Sequence, residues 1–365
     1  EPVKPLRGAS VTPLRGALIG YGFIAEKGHL PAYAMLSDGG APLSIVAIAD
    51  TCAARREKAA ALPGVRVYET HAELLEKEAG KIDFVDITTP PCDHARIAHA
   101  ALDRGLHVLC EKPLTTTVAD ARSIIDHAKR AERVLYPSHN YKHAPVIKAV
   151  RRILDEGRIG KVSLVTLHTF RNTHAKGVPE WRTDWRREKR FSGGGIAMDH
   201  GSHTFYLAFD WLASHPTAIT AKMSTLGAWD TEDNLSCSIT FPTGTASAHL
   251  TWTAGVRKVI YTLHGDKGAI RVEDDDLEIT EMRADEAGKI AWTRSVESVS
   301  SNWMDASHTI WFRSLLEQFH GAILARDYAG KEAENAFRCV ELITTAYASA
   351  LEGSRELPLG GGASP

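Results

Sequence analysis

Apolar positions in the first third of the chain fall into short runs separated by helical stretches. Ala17 to Ile19 forms one such run, ending at Gly20, and a helical pattern follows Phe23. Leu43 to Ala49 reads as a second buried strand closed by Asp50, and Ile82 to Thr88 as another after a polar helix. Between Asp93 and Arg104 the residues Ile97, Ala98, Ala101 and Leu102 share one helical face, and Leu106 to Leu109 gives one more strand. A helix over Val118 to Arg133 and a strand over Val134 to Pro137 complete this unit. Strands alternating with helices of about 10 to 15 residues predict a parallel sheet wound on both faces, because parallel strands need crossovers that helices supply.

The texture then changes. Pro145 opens a helix that Gly157 closes. From Val162 to about Trp292 the chain alternates, as in Ser236 to Phe241, Ala246 to Thr253 and Val259 to His264. Pro242-Thr243-Gly244 and Gly265-Asp266-Lys267-Gly268 mark turns between these segments, so a largely antiparallel sheet with hairpins is predicted. Two long helices, near Asp305 to Leu324 and Glu332 to Leu351, close the pattern. The predicted organisation is a flexible tail over 1–13, a first domain over 14–137, a second over 138–352 and a flexible tail over 353–365. Pro5-Leu6-Arg7-Gly8-Ala9 nearly repeats as Pro13-Leu14-Arg15-Gly16-Ala17, and only the second copy runs into a strand.

Composition narrows the class. At 365 residues, 44% of them hydrophobic and 24% charged, the chain suits two globular domains of unequal size. With 43 basic against 45 acidic residues the net charge is −2, which provides no global field for a nucleic-acid partner. No run of about 18 apolar residues predicts a membrane span. Cys52, Cys92, Cys110, Cys237 and Cys339 lie far apart without CxxC pairs, which suits a reducing cytoplasm. The chain opens on Glu1 and not on Met, which leaves a removed export signal open.

Gly20-Tyr21-Gly22-Phe23-Ile24-Ala25 is a GxGxxA pattern between the first strand and a helix. Gly20 permits the tight turn, Gly22 lets backbone approach a pyrophosphate, and Ala25 allows close helix packing, with Phe23 and Ile24 in the same cofactor-binding loop. Asp50 ends the second strand, where a carboxylate accepts bonds from ribose hydroxyls and repels a 2′-phosphate, so NAD is favoured. Arg55 and Arg56 follow within a turn and suit a 2′-phosphate, which keeps NADP open. Asp50 equally suits a cap for a helix over Thr51 to Ala61.

Further motifs follow in order: Thr89-Pro90-Pro91-Cys92-Asp93-His94, then Ala100-Ala101-Leu102, then Gly105 to Cys110 leading into Glu111-Lys112-Pro113-Leu114. Gly193-Gly194-Gly195-Ile196-Ala197-Met198-Asp199-His200-Gly201-Ser202-His203 comes later. With the GxGxxA start, this series resembles the glucose–fructose oxidoreductase/inositol dehydrogenase (Gfo/Idh/MocA) family from about Leu14 to Leu351. The resemblance implies a Rossmann doubly wound parallel sheet followed by an α+β domain with an open, mainly antiparallel sheet. That sheet often forms an oligomer interface, so a homodimer or homotetramer is expected. Cofactor contacts are implied at Thr89, Pro90, His94, Glu111 and Lys112. By position Lys112 would touch both the nicotinamide side and a substrate hydroxyl, while Asp199 and His203 would approach the reacting carbon.

The residue types suit that chemistry. Oxidising a secondary alcohol needs a base for the hydroxyl proton, and an imidazole with a pKa of about 6.5 suits the exchange, which makes His203 the leading base. Lys112 can stabilise a developing alkoxide or move the proton itself. Asp199 lies four residues before His203 and shares its helical face, so it can orient the imidazole or bind another hydroxyl. His200 points about 100° away on a helix, so no metal site is expected.

Trp181 to Arg190 is the densest charge cluster, and Arg186 and Arg187 within it suit a phosphate or carboxylate on the substrate. Asn140 and Lys142 lie at the domain junction and suit substrate hydroxyls. The expected activity is hydride transfer between NAD(P) and a secondary hydroxyl or keto group of a sugar, cyclitol or anionic sugar derivative. Two rivals remain open: an epimerase or eliminating enzyme using transient oxidation, and a non-catalytic NAD(P)-binding sensor.

Overall fold

The computed structural model describes residues 13–36, 39 and 41–360. The first Pro-Leu-Arg-Gly-Ala copy and the segment from Gly361 onward, both expected as tails, lie outside the described residues.

The first sheet has six parallel strands: β1 (Leu14–Ile19), β2 (Leu43–Ala49), β3 (Arg66–Tyr68), β4 (Phe84–Ile87), β5 (His107–Cys110) and β6 (Leu135–Pro137). β3 escapes the sequence pattern because three residues are too few to show an alternation. A π-helical turn over Ala25–His29 runs into α1 (Leu30–Leu36), followed by α2 (Ala53–Ala60), α3 (His71–Lys77), α4 (His94–Leu102) and α5 (Val118–Ala131). The strand order β3-β2-β1-β4-β5-β6 reverses direction between β1 and β4. At such a switch point the following loops diverge to opposite faces and leave a crevice at the carboxyl ends of the strands.

α6 (Pro145–Asp155) leads into β7 (Val162–Phe170), then α7 (Lys189–Ser192) and α8 (Ile196–Trp211). Next come β8 (Ala218–Ser224), β9 (Asn234–Phe241), β10 (Gly244–Thr251), β11 (Lys258–Gly265), β12 (Gly268–Glu273), β13 (Asp276–Ala284) and β14 (Ile290–Ser298). These form a nine-stranded sheet in the order β14-β13-β12-β11-β7-β10-β9-β8-β15, with β15 at Leu357–Pro358. The sheet is mixed and mainly antiparallel: β7 and β10 run parallel, and the neighbouring pairs β9–β10 and β7–β11 are antiparallel. Alternation along β7 and β11 buries Val165, Leu167, Tyr261 and Leu263 against Phe205, Tyr206 and Trp211 of α8. β15 corrects the expectation of a tail from 353, because Leu357 and Pro358 pair with Ile219 and Ala218.

The last two helices, α9 (Thr309–Ala325) and α10 (Lys331–Leu351), are read from sequence as second-domain elements, yet both bury against the first sheet. Phe312, Leu315, Leu316 and Phe319 of α9 pack on one face with Phe84 and Leu109, and Ala336, Phe337 and Val340 of α10 pack on the other with Val85 and Val108. Each such large side chain contributes roughly 1.5–3 kcal/mol of burial, so the chain's end locks the two sheets together. α9 starts at Thr309 and not near Asp305, because His308 before it takes a left-handed φ of 47°. The five cysteines are free, and no helix among the described residues is long and apolar enough to cross a membrane.

Candidate active site

The loop after β1 is shaped by steric need. Gly20 has φ 94°, and a Cβ there would meet Thr89 N at 2.9 Å and Thr88 C at 3.0 Å, so glycine is required. Gly22 has nothing within 4 Å of its would-be Cβ, which leaves its backbone open to a ligand, while Ala25 is fully buried against Leu18 and Ile48. Asp50 at the end of β2 accepts from Tyr21 N at 2.6 Å and Cys52 N at 2.7 Å, and so ties the glycine turn to its neighbour strand. A carboxylate has about four acceptor sites, so capacity for ribose hydroxyls is left over.

Arg55 is not the free cation that the sequence suggested. Its Nε donates to Tyr21 O at 2.6 Å and its Nη2 to Glu26 at 2.6 Å, with the residue 2% exposed. Arg56 donates to the carbonyls of Asp50 and Thr51, both at 2.9 Å. Both guanidinia are engaged by neighbouring carbonyls and carboxylates, while Arg55 still lines the cleft beside Gly22 and Asp50, whose carboxylate would repel a 2′-phosphate.

β5 delivers Glu111 and Lys112 to the crevice, and the Lys112–Pro113 peptide is cis. Glu111 is held from below by a buried network that the sequence does not reveal. His29 lies between Asp86 (2.8 Å) and Glu111 (2.9 Å), Tyr33 donates to Asp86, and Ser138 donates to Glu111 at 2.8 Å. Burial opposes a charge on His29, but the two carboxylates outweigh it and carry its pKa up to about 10, so it is an imidazolium bridging two acids. His94, expected at the cofactor, is fully buried instead, and its ring nitrogens face Pro113 O and Thr89 O at 2.9 Å each. It clamps together the two loops that line the crevice.

The second domain supplies the opposing wall through α8. The glycine triplet before it allows close approach: a Cβ on Gly194 would lie 1.9 Å from the Tyr347 hydroxyl, and one on Gly195 2.0 Å from Glu232 O. The Glu232 carboxylate accepts from Gly195 N and Ala197 N, each at 2.9 Å, and so satisfies amides at the helix start. That fixed start places Asp199 and His203 in the crevice.

Lys112 Nζ donates to Asp199 Oδ1 at 2.7 Å and to Asp199 O at 3.0 Å, an ion pair across the two domains. Although burial works the other way, the Lys112 and Arg186 charges hold the Asp199 carboxyl well below the usual carboxylate range. His200, expected to point away, lies with Nδ1 3.3 Å from Asp199 Oδ2, close enough for attraction but poorly aligned for a hydrogen bond. The His203 ring stacks on Tyr141 with centroids 4.1 Å apart and planes 14° apart, and its Nδ1 is buried without a protein partner. Burial first, then the charges of Lys112 and His200, hold its imidazole well below the ordinary histidine range, so it is neutral at pH 7. Among the described residues no three His, Cys, Asp or Glu side chains converge as a metal-binding group.

One cleft of about 670 Å³ joins these parts. Gly20, Gly22, Phe23, Ile24, Asp50, Thr89, Pro90 and Glu111 line one end, and Lys112, Asn140, Arg186, Asp199 and His203 line the other. Lys142 and Arg187 correct the sequence-based expectation of substrate contact. Lys142 pairs with Glu332 at 2.5 Å, because its side chain leaves the hinge toward α10. Arg187 is 7% exposed, paired with Asp233, and held between the rings of Trp229 and Trp252. In their place the cleft gains Tyr141, Arg171, Arg257 and His308, which carry no local motif.

A switch-point crevice with a glycine turn, a strand-end carboxylate, and Lys112, Asp199 and His203 in one cleft is the arrangement expected of an oxidoreductase with a dinucleotide-binding domain. The comparisons with known proteins agree. Residues 14–139 match the profile of the GFO_IDH_MocA oxidoreductase family, NAD-binding Rossmann fold, and residues 147–271 match the GFO/IDH/MocA C-terminal domain. The chain belongs to the Gfo/Idh/MocA family and is an NAD-dependent oxidoreductase. It is 29% identical to a 1,5-anhydro-D-fructose reductase from Ensifer adhaerens over 70% of this chain and 74% of that protein. It is 30% identical to the uncharacterized oxidoreductase YdgJ from Escherichia coli (strain K12) over 70% of each. A levoglucosan dehydrogenase solved with NADH and levoglucosan shares the fold at TM-score 0.81 and 22% identity, covering 96% of this chain and 100% of that one.

Proposed function

We propose that the chain oxidises or re-forms a secondary hydroxyl on a sugar or cyclitol, with His203 as the proton acceptor and Lys112 as the group that orients and polarises the hydroxyl oxygen. The observation that carries this reading is the Lys112–Asp199 pair beside a neutral, ring-stacked His203, in the same cleft as the glycine turn. When bound, NAD supplies the hydride acceptor. Gly22, Asp50 and the Thr89-Pro90 loop would hold it at the end of the cleft that they line, in the same cleft as Lys112. Asp199 balances the Lys112 charge and keeps the ammonium directed into the cleft. As the C–H bond breaks, the hydroxyl proton passes to the His203 imidazole, and the Lys112 ammonium stabilises the oxygen. In this reading Asn140, which lines the cleft with its Oδ1 buried and without a partner, accepts from a further hydroxyl.

By their names, the similar 1,5-anhydro-D-fructose reductase and levoglucosan dehydrogenase act on sugar derivatives, which supports the substrate class. The test is net NADH formation by purified protein with NAD and a panel of hexoses, anhydrohexoses, inositols and sugar acids. Steady NADH accumulation with one class is expected. Substrate conversion without net NADH would replace this reading by transient oxidation. We also propose that a second copy covers the open face of the nine-stranded sheet, where Leu164 is exposed, and light scattering should then give a dimer or tetramer.

A further inference from the structure

We propose that the end of the cleft beyond Asp199 is an anion-binding subsite, built from Arg171, Arg257 and His308, that takes the carboxylate or phosphate of a sugar derivative. The proposal rests on the sugar oxidoreductase reading above and names the substrate class more closely.

Arg171 follows the last residue of β7. Its amide donates to Thr251 O at 2.9 Å and its carbonyl accepts from Ala254 N at 3.0 Å, so its backbone is fixed across the sheet. The residue is 9% exposed, and its Nε donates to His200 Nε2 at 3.4 Å. One imidazole ring therefore separates this guanidinium from the Asp199 carboxylate. Arg257, in the loop before β11, donates Nη2 to Trp303 O at 3.1 Å, and its Nε is buried without a partner. His308 stacks on Trp311 with centroids 3.7 Å apart, and its Nδ1 is also buried without a partner. All three line the cleft, along with the Tyr141 ring that backs His203.

Elsewhere this protein neutralises its buried arginines: Arg55 with Glu26, and Arg187 with Asp233. Among the described residues, no carboxylate lies within ion-pair distance of Arg171 or Arg257. Asp274 and Asp305 act on Arg257 only at longer range, and they accept from Val259 N and Ser307 N. Burial, followed by the charge of Arg171, holds the Arg257 guanidinium below its ordinary value. Arg171 is buried and Arg257 half-buried; a cation withdrawn from water without a counter-charge is costly, and a bound anion offsets that cost. Guanidinium forks match the planar oxygens of a carboxylate and the tetrahedral oxygens of a phosphate. The dinucleotide's own phosphates belong at Gly22 on the other domain, so the anion sought here is on the substrate.

The test uses the whole protein and three matched sugars: a neutral hexose, the corresponding hexuronate and the hexose phosphate. NADH formation is expected to show kcat/KM at least tenfold higher for one of the two anionic sugars than for the neutral one, and which of them leads identifies carboxylate or phosphate. In Arg257→Gln and Arg171→Gln, the ratio of anionic to neutral kcat/KM should fall tenfold or more, chiefly through KM. Should a variant not fold, the wild-type comparison decides alone. Equal or better use of the neutral hexose overturns the subsite and leaves the oxidoreductase reading standing. Conversely, no turnover of any sugar, with a hexuronate or hexose phosphate still raising the Tm of the NADH-loaded protein where the hexose does not, retains the subsite and removes the proposed reaction. No turnover and no selective rise in Tm overturns both.

Discussion

The two ends of the cleft are built on different principles. At the nucleotide end, the working groups are backbone and small residues on loops after β1, β2, β4 and β5, and the charges nearby are already paired, as Arg55 is with Glu26. At the end proposed for the substrate, the lining is charged and aromatic side chains, Lys112, Tyr141, Arg171, Asp199, His203, Arg257 and His308, several of them with polar atoms unpaired. The first end is a shape made by the parallel sheet, which suits a ligand common to a family. The second is an assembly of side chains that can be exchanged without disturbing a strand order, which suits a changing substrate.

That contrast can be broken by substitution. The largest effect is expected at the substrate end, where His203→Phe should lower kcat/KM by about 10²–10⁴-fold while NADH binding, followed by fluorescence, stays within twofold. Wild-type activity should also stay level from neutral into mildly acid pH. A base whose pKa is depressed loses its function only when pH falls below that depressed value, and a fall centred at the ordinary histidine value would remove His203 from the role. Lys112→Met should cost about 10²–10³-fold in kcat/KM.

The next effect sharpens the comparison from below the nucleotide end. Replacing His29 with Gln removes the cation between Asp86 and Glu111 and should cost about 3–5 kcal/mol in denaturant unfolding. The folded pKa of His29 is raised to about 10 from an unfolded value of about 6.5. Its contribution is therefore complete below about pH 6.5 and is lost as pH rises through about 10. Wild-type Tm should fall across that window, and the variant should show a flatter profile. The smallest effect belongs to Lys142→Met: with both partners of the Lys142–Glu332 pair about a quarter exposed, stability should change by less than about 1 kcal/mol. Unchanged KM for every substrate would complete the correction made to that residue.

Much of the first domain was legible. β1, β2, β4 and β5, the turn at Gly20 and the acid at Asp50 all follow from apolar runs and small residues within a few positions of one another. Lys112, Asp199 and His203 were singled out through motifs, and all three line one cleft. Arg187 and Lys142 were misread because charge density along a chain does not say whether a counter-charge waits in space, as Asp233 and Glu332 do. His29 and Glu232 offered no local signal, since each matters through partners dozens of residues away.

By itself, then, the sequence determined whatever rests on short-range geometry: the alternation that makes each strand, the glycine that a left-handed turn demands, and the spacing that puts Asp199 and His203 on one helical face. Only the tertiary structure decided which charges are spent and which are left open. Burial and pairing depend on contacts between distant segments, and these gave Arg55 and Arg187 carboxylate partners while leaving Arg171 and Arg257 without one on the cleft wall.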